Sequence, residues 1–127
     1  MKFGYTILYV PHLEDALSFY ERAFGLTRKF VAESGFYGEL DTGETTLSFC
    51  EEDRLTSEGI PFHPSRREAA SPAMEIAFVT PDVEKKYQQA VSAGATPVRA
   101  PKEAPWGQKV AYVRDLNGVL VEICSPI

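Results

Sequence analysis

Residues 41–50 read DTGETTLSFC, and residues 115–124 read DLNGVLVEIC. Both stretches begin with a polar, glycine-containing turn and continue as an alternating strand that ends in cysteine. A shift of 74 positions superposes them and places Ser48 on Glu122. A turn and a strand that recur in this way indicate that one structural unit is written twice along the chain.

The elements that precede these strands repeat as well, at a shift of 70 positions. In the first half, a predicted strand at Phe3–Val10 is followed by a helix at Leu13–Phe24. In the second half, a strand at Met74–Val79 is followed by a helix that Thr80 opens as its N-cap, with Pro81 in the first helical position. The other predicted strands are Thr27–Ala32, Phe36–Leu40, Thr45–Cys50, Thr96–Ala100, Lys109–Arg114 and Val119–Cys124.

This repeat predicts an α+β fold in a single domain that spans residues 1–127. Two tandem βαβββ modules, at about residues 1–51 and 73–127, form a curved mixed sheet with the helices on its outer face and a concave ligand cup. The polar, proline-containing segment at about 52–72 is predicted to be a connecting loop, with a helical turn around Ser65–Ala70.

Composition and charge exclude several classes of partner and location. Hydrophobic residues make up 44% of the chain, the formal charge is −5 and the pI is about 5.0. Lysine and arginine are scattered, so neither nucleic acid nor an anionic membrane is an expected partner. The sequence shows no signal peptide and no membrane span. Two cysteines are too few for a disulfide scaffold, which predicts a cytoplasmic protein with reduced thiols.

Strand alternation identifies the side chains that face the cup. In the last strand, Val121 and Ile123 face the helix, so Glu122 faces the cup. Glu75 occupies an inward position in another apolar strand. A single glutamate on a half-open sheet often simply faces water. Two glutamates at matching ends of the repeat favour a functional role, which makes both candidate catalytic or ligand-binding residues.

Five stretches resemble the vicinal oxygen chelate superfamily, which includes glyoxalase I, extradiol dioxygenases, fosfomycin-resistance enzymes and bleomycin-resistance binding proteins. They are YTILYV at 5–10, LEDALSFY at 13–20, FGL at 24–26, VRDLNG at 113–118 and VEI at 121–123. The resemblance covers nearly the whole chain apart from the connecting loop. It is specific for the fold and weak for the activity.

The resemblance implies four inward ligand positions, two in each module. They map to Tyr5, Ser48, Glu75 and Glu122. Metal-dependent members build this site from imidazoles and carboxylates, and only Glu122 is of the usual type at its position. This departure from the usual ligand types favours a protein without a metal cofactor.

The alternative with a metal is a divalent cation held through the oxygen atoms of Glu75, Glu122 and Tyr5. The two histidines of the chain lie elsewhere. His12 follows the first strand and is expected at the surface, and His63 reaches the cup only if the connecting loop folds over it.

Without a metal, Glu75 and Glu122 are expected to be neighbours across the pseudo-twofold axis, where they share a proton or bind an amine or guanidinium ligand. The resemblance to bleomycin-resistance proteins, which sequester basic planar drugs, supports this interpretation. Trp106 lies in the longer connection of the second module, around Pro101–Gly107, where it can stack on a flat or cationic ligand. A place at a subunit interface is the alternative for this side chain.

Four further residues have open assignments. The alternation of side chains along the strands does not show which face of the sheet Tyr37 and Tyr112 occupy. Cys50 and Cys124 occupy equivalent inward positions and are candidate ligand-facing residues. They form either a regulatory disulfide or two small buried thiols, and a cytoplasmic location favours the thiols.

Three functional hypotheses follow. The first is a small-molecule-binding protein, without a metal, whose acidic and aromatic cup suits a cationic or planar ligand. The second is a metal-dependent lyase, isomerase or dioxygenase of the same superfamily with a nonstandard ligand set. The third is an interaction module with a vestigial cup. The resemblance also implies a homodimer in which modules of two chains complete each cup.

Overall fold

The computed structural model describes residues 1–127, which divide into two compact units. Residues 1–21 and 25–64 form the first unit, and residues 22–24 and 65–127 form the second. The elements in chain order are β1 (Tyr5–Val10), α1 (Leu13–Phe24), β2 (Thr27–Val31), β3 (Tyr37–Asp41), β4 (Thr46–Glu51), α2 (Glu52–Ser57), β5 (Glu75–Val79), α3 (Val83–Ser92), β6 (Thr96–Glu103), β7 (Lys109–Arg114) and β8 (Leu120–Cys124).

Each unit contains one four-stranded mixed sheet. The strand order is β1-β4-β3-β2 in the first sheet and β5-β8-β7-β6 in the second. In both sheets the first and last strands of the module pair in parallel, and all other pairs are antiparallel. The same order occurs twice, which confirms the predicted α+β fold of tandem βαβββ modules.

In the first unit, α1 covers one face of the sheet with the apolar stripe that its sequence predicts. Leu13 and Leu17 are buried. Gly38 of β3 permits the helix to approach closely, because a Cβ atom there would lie 2.9 Å from Cδ1 of Leu17. The ring of Tyr20 meets that of Phe49 edge-on, with 5.0 Å between the centroids. Full burial of such side chains contributes roughly 1.5–3 kcal/mol each, so this face forms the core of the unit.

The two ends of α1 are stabilised in different ways. His12 occupies the N-cap position without a side-chain hydrogen bond. Instead, Oε2 of Glu51 at the end of β4 accepts a hydrogen bond of 2.9 Å from the backbone N–H of Leu13. Gly25 ends the helix in the left-handed conformation, with φ of 69°. Glycine reaches this region without a steric penalty, so its position directly after Phe24 explains where the helix stops.

The prediction that Thr80 caps α3 is wrong. The side chain of Asp82 is the N-cap and accepts a hydrogen bond of 3.2 Å from the backbone N–H of Lys85, so the helix begins at Val83. The hydroxyl of Thr80 instead accepts from the backbone N–H of Asp82. Threonine and aspartate both cap helices, and here the residue closer to the helix does so. No helix of the chain is long and apolar enough to cross a membrane.

The predicted connecting loop contains more ordered structure than its sequence indicates. Its first residues form the short helix α2, Glu52–Ser57. Farther along, the backbone N–H of Ala69 donates to the carbonyl of Arg66, within the region where a helical turn was expected. The guanidinium of Arg114 donates to the carbonyls of Arg66, Arg67 and Ala69. These contacts hold the segment against the end of β7.

The longer connection predicted around Pro101–Gly107 is mostly strand. β6 continues to Glu103, and only a short turn separates it from β7. β6 is an edge strand with an irregular register, which accommodates Pro97 and Pro101 because few of its N–H groups are needed for pairing. The extra residues of the second module therefore lengthen a hairpin.

Candidate functional site

In each unit the helix covers one face of the sheet, and we call the opposite face the open face. On the open face of the second unit, Glu75 of β5 lies beside Glu122 of β8. These strands are parallel neighbours in which Glu75 pairs with Leu120 and Ala77 pairs with Glu122. The glutamates are therefore diagonal neighbours in one sheet. The prediction that they meet across a pseudo-twofold axis is wrong, because the first and last strands of a βαβββ module pair directly.

The two carboxyl groups interact with each other. A hydrogen bond with Glu122 raises the pKa of Glu75 above its ordinary value, and burial and the charge of Glu122 add to this effect. Such a bond requires a proton on one carboxyl group, so the pair retains one proton more readily than isolated glutamates do. Once that proton leaves, two like charges face each other, and a cation at this position would relieve the repulsion.

Tyr112 and Arg99 complete this cluster. Tyr112 of β7 pairs with Glu122 in the antiparallel register, and its hydroxyl donates to Oε2 of Glu122 at 3.4 Å. Burial and the charges of Glu122 and Glu75 raise the pKa of Tyr112, whereas Arg99 lowers it. The guanidinium carbon of Arg99 lies 4.8 Å from the centroid of the Tyr112 ring. The alternation of side chains did not show which face Tyr112 occupies. The strand register places it on the open face.

The matching positions of the first unit have different surroundings. Tyr5 is 57% exposed and lines a polar cavity of about 420 Å³ together with Lys2 and Lys29. Ser48 has no exposed surface, and its hydroxyl donates to the carbonyl of Thr6 at 3.5 Å. A role for Ser48 in ligand contact stays a prediction, and it requires a neighbouring side chain to move. Glu44 lines the same cavity, so the charges around Tyr5 are mixed.

The carboxylate of Glu39 in β3 is buried, and the sequence did not identify it as a candidate site residue. Glu39 is 6% exposed and pairs with Ser48 across β3 and β4. Its Oε2 accepts a hydrogen bond of 2.8 Å from the Tyr37 hydroxyl, and its Oε1 lies 3.9 Å from Nζ of Lys29. Burial is the main cause that raises the pKa of Tyr37. Side chains alternate along a strand, so Glu39 and Tyr37 lie on the same face of β3, but alternation alone did not show which face that is.

The other predicted site residues are dispersed. Trp106 lies in the turn between β6 and β7, is 69% exposed and donates to Oε1 of Gln108 at 2.8 Å. Cys50 and Cys124 are free thiols in different units, and burial raises the pKa of each. His63 is exposed. Its neighbour Phe62 packs on Tyr9 of β1, with 5.2 Å between the rings, so part of the connecting segment returns to β1.

Comparison with known proteins identifies the family. A model of the Glyoxalase/Bleomycin resistance protein/Dioxygenase superfamily matches residues 2–123. The chain belongs to this superfamily.

Several solved structures share the fold of this chain. A glyoxalase-related enzyme from Fulvimarina pelagi is 21% identical, with 99% of this chain and 88% of that chain covered and a TM-score of 0.84. A glyoxalase/bleomycin resistance protein/dioxygenase family enzyme from Burkholderia phytofirmans PsJN is 20% identical over 100% of both chains, with a TM-score of 0.83. A protein of unknown function from Agrobacterium tumefaciens str. C58 is 21% identical, with 100% and 95% covered and a TM-score of 0.78. No curated protein matches the chain.

The residues at the superfamily's ligand positions do not fit a divalent metal. No group of three or more histidine, cysteine, aspartate or glutamate side chains is arranged to hold an ion. Glu75 and Glu122 supply carboxylates in the second unit, but in the first unit Ser48 is buried and Tyr5 lies beside two lysines as well as Glu44. Transition metals prefer imidazole or thiolate ligands, and hard cations need several oxygen ligands at once. The donor set therefore falls short for both kinds of metal.

Proposed function

We propose that this superfamily member binds an organic cation, preferably a planar one, without the help of a metal. The carboxyl groups of Glu75 and Glu122 form the binding centre on the open face of the second unit. The observation that carries the proposal is their adjacency on β5 and β8, with a raised pKa at Glu75. A ligand cation would replace the shared proton and reduce the repulsion between the two carboxylates.

The neighbouring side chains support a flat ligand. The Tyr112 hydroxyl donates to Glu122, which orients that carboxylate, and its ring offers a stacking surface. Trp106 is an exposed aromatic residue of the same unit. In this proposal it adds a second stacking surface when the ligand binds. The prediction still includes ligand contacts by four other residues, which are Tyr5, Ser48, Cys50 and Cys124.

A pair of matched probes tests the proposal. Benzamidine is a planar aromatic cation, and benzamide is its neutral counterpart of nearly the same shape. We expect benzamidine to bind and benzamide not to bind in isothermal titration calorimetry. Glu122→Gln should weaken the binding of benzamidine by about ten- to a hundredfold, because charge-assisted hydrogen bonds contribute about 1.5–3 kcal/mol. Glu33→Gln removes one exposed carboxylate of the first unit and serves as the charge control.

The alternative function, a metal-dependent lyase, isomerase or dioxygenase, makes a different prediction. It requires a tightly held divalent ion in the purified protein, with Glu75 and Glu122 among its ligands. Metal analysis of protein purified without chelators, followed by melting curves with and without EDTA, separates the two. One ion per chain and a lower melting temperature after chelation would replace our proposal with this alternative. A vestigial cup predicts that none of these probes binds.

The proposal includes a cytoplasmic location and a homodimer. Two cysteines that are both free thiols suit a reducing compartment. β1 lies at an edge of its sheet, and Phe3 and Tyr5 expose large apolar surfaces there. An exposed edge strand of this kind pairs readily with another strand. Neither nucleic acid nor a membrane is proposed as a partner, because the net charge is negative and the basic residues are scattered.

A further inference from the structure

We infer that the preferred ligand is zwitterionic, with an anionic group that Arg99 binds while Glu75 and Glu122 bind its cationic group. The inference rests on the proposed function and specifies the ligand class of the same face. It assigns to Arg99 a role in selecting the ligand.

Charges of both signs act on one tyrosine. The two glutamates raise the pKa of Tyr112, and Arg99 opposes them. The guanidinium of Arg99 lies over the Tyr112 ring, and the hydroxyl of that ring contacts Glu122. A single aromatic ring therefore separates a positive group from a negative pair on adjacent strands of one sheet.

These opposite charges do not form an ion pair with each other. Arg99 stacks on the ring, and no salt bridge joins it to either glutamate. Arg99 is exposed, so its five N–H donors face solvent while its planar group is held by the stacking contact. A guanidinium held in this way is oriented to bind a carboxylate or phosphate through two parallel hydrogen bonds.

The spacing limits the size of the ligand. Its cationic and anionic groups must lie at opposite ends of a short spacer of about the width of an aromatic ring. Arg99 covers one face of the Tyr112 ring, so a flat spacer would stack on the face that the guanidinium leaves free. Amino-acid-like compounds with an aromatic or conjugated centre fit this description. A simple amine would use only the glutamate half of the face.

Three probes that share one scaffold test the inference. Benzamidine carries the cation alone, 4-amidinobenzoate adds a carboxylate, and 4-amidinobenzamide replaces that carboxylate with a neutral group of similar shape. We expect 4-amidinobenzoate to bind about two- to fivefold more tightly than 4-amidinobenzamide, as an exposed ion pair allows. Arg99→Gln should remove this difference and leave benzamidine as tight as before or slightly tighter. Arg99→Lys should restore part of the difference.

Two controls keep the outcomes distinct. Lys85→Gln removes an equal charge from an exposed position on α3 and should leave all three affinities unchanged. Melting curves of both Arg99 variants show whether the fold is intact. If benzamidine binding depends on Glu122 but the carboxylate of 4-amidinobenzoate adds no affinity, the inference is wrong and the proposed function stands. If Arg99→Gln weakens all probes equally, Arg99 has only a structural role. If no probe binds to the wild-type protein, the proposed function fails, and the inference fails with it.

Discussion

At the scale of single residues, the site depends on a carboxyl group whose proton is shared. Glu75 is exposed, so its raised pKa comes mainly from the Glu122 side chain and less from burial. This origin has a consequence for stability that does not involve any ligand. A raised pKa means that the folded state binds the proton more tightly than the unfolded chain does.

Glu75→Gln should change how stability depends on pH. The stabilisation that the shared proton provides is fully present below the ordinary pKa of a glutamate and is lost as pH rises through the raised value. Glutamine mimics the protonated form. The variant should therefore melt at the wild-type temperature near pH 4 and at a higher temperature than the wild type by about pH 8. Melting curves of both proteins across this range measure the effect.

Glu33→Gln is the control for this comparison, because Glu33 is exposed and belongs to the first unit. Its melting temperature should follow the wild type at every pH. A Glu75→Gln variant that follows the wild type in the same way would show that the two carboxyl groups do not interact.

The residues of this site differ in how well sequence predicts them. Alternation along two apolar strands was sufficient to place Glu75 and Glu122 on the open face. Tyr112 and Arg99 could not be placed, because their directions depend on the register of a hairpin whose edge strand contains irregularities. Glu39 was missed because alternation alone did not show which face of its strand points away from the helix.

At the scale of elements, α1 depends on a side chain that is distant in sequence. The Glu51 carboxylate accepts a hydrogen bond from the backbone N–H of Leu13, 38 residues away, and places a negative charge at the positive end of the helix dipole. Glu51→Ala should lower the free energy of unfolding by about 1 kcal/mol, the usual cost of losing an N-cap. Urea denaturation measures this loss. Glu33→Ala is the matched control, and equal stabilities of the two variants would contradict the capping role.

Helix positions were predictable where apolar residues recur at helical spacing. Leu13, Leu17, Tyr20 and Phe24 recur at helical spacing, and α1 has the predicted bounds. α2 reads EDRLTS, which is too short and too polar to show a period, and it was therefore predicted as loop. The capping of α1 by Glu51 is a tertiary contact that no local pattern in the sequence contains.

At the scale of the whole molecule, the duplicated strand order was predictable because two independent stretches carry the same turn and strand. The state of assembly is a proposal. Light scattering of the eluted protein should give twice the 14.1 kDa mass of one chain. Phe3→Ser removes an exposed apolar side chain next to the edge strand β1 and should weaken the dimer without loss of fold. A monomeric mass for the wild type at micromolar concentration would contradict the proposal.

The central claim is that a ligand cation replaces the proton shared by Glu75 and Glu122. Calorimetric titration of benzamidine in two buffers of different ionisation enthalpy, repeated from about pH 5 to pH 8, measures the protons released on binding. The number of protons released should be largest at the acidic end, should decline as pH rises through the raised pKa of Glu75, and should be strongly reduced in Glu122→Gln. Binding heats that are independent of the buffer at every pH, or a release that Glu122→Gln leaves unchanged, would contradict this claim.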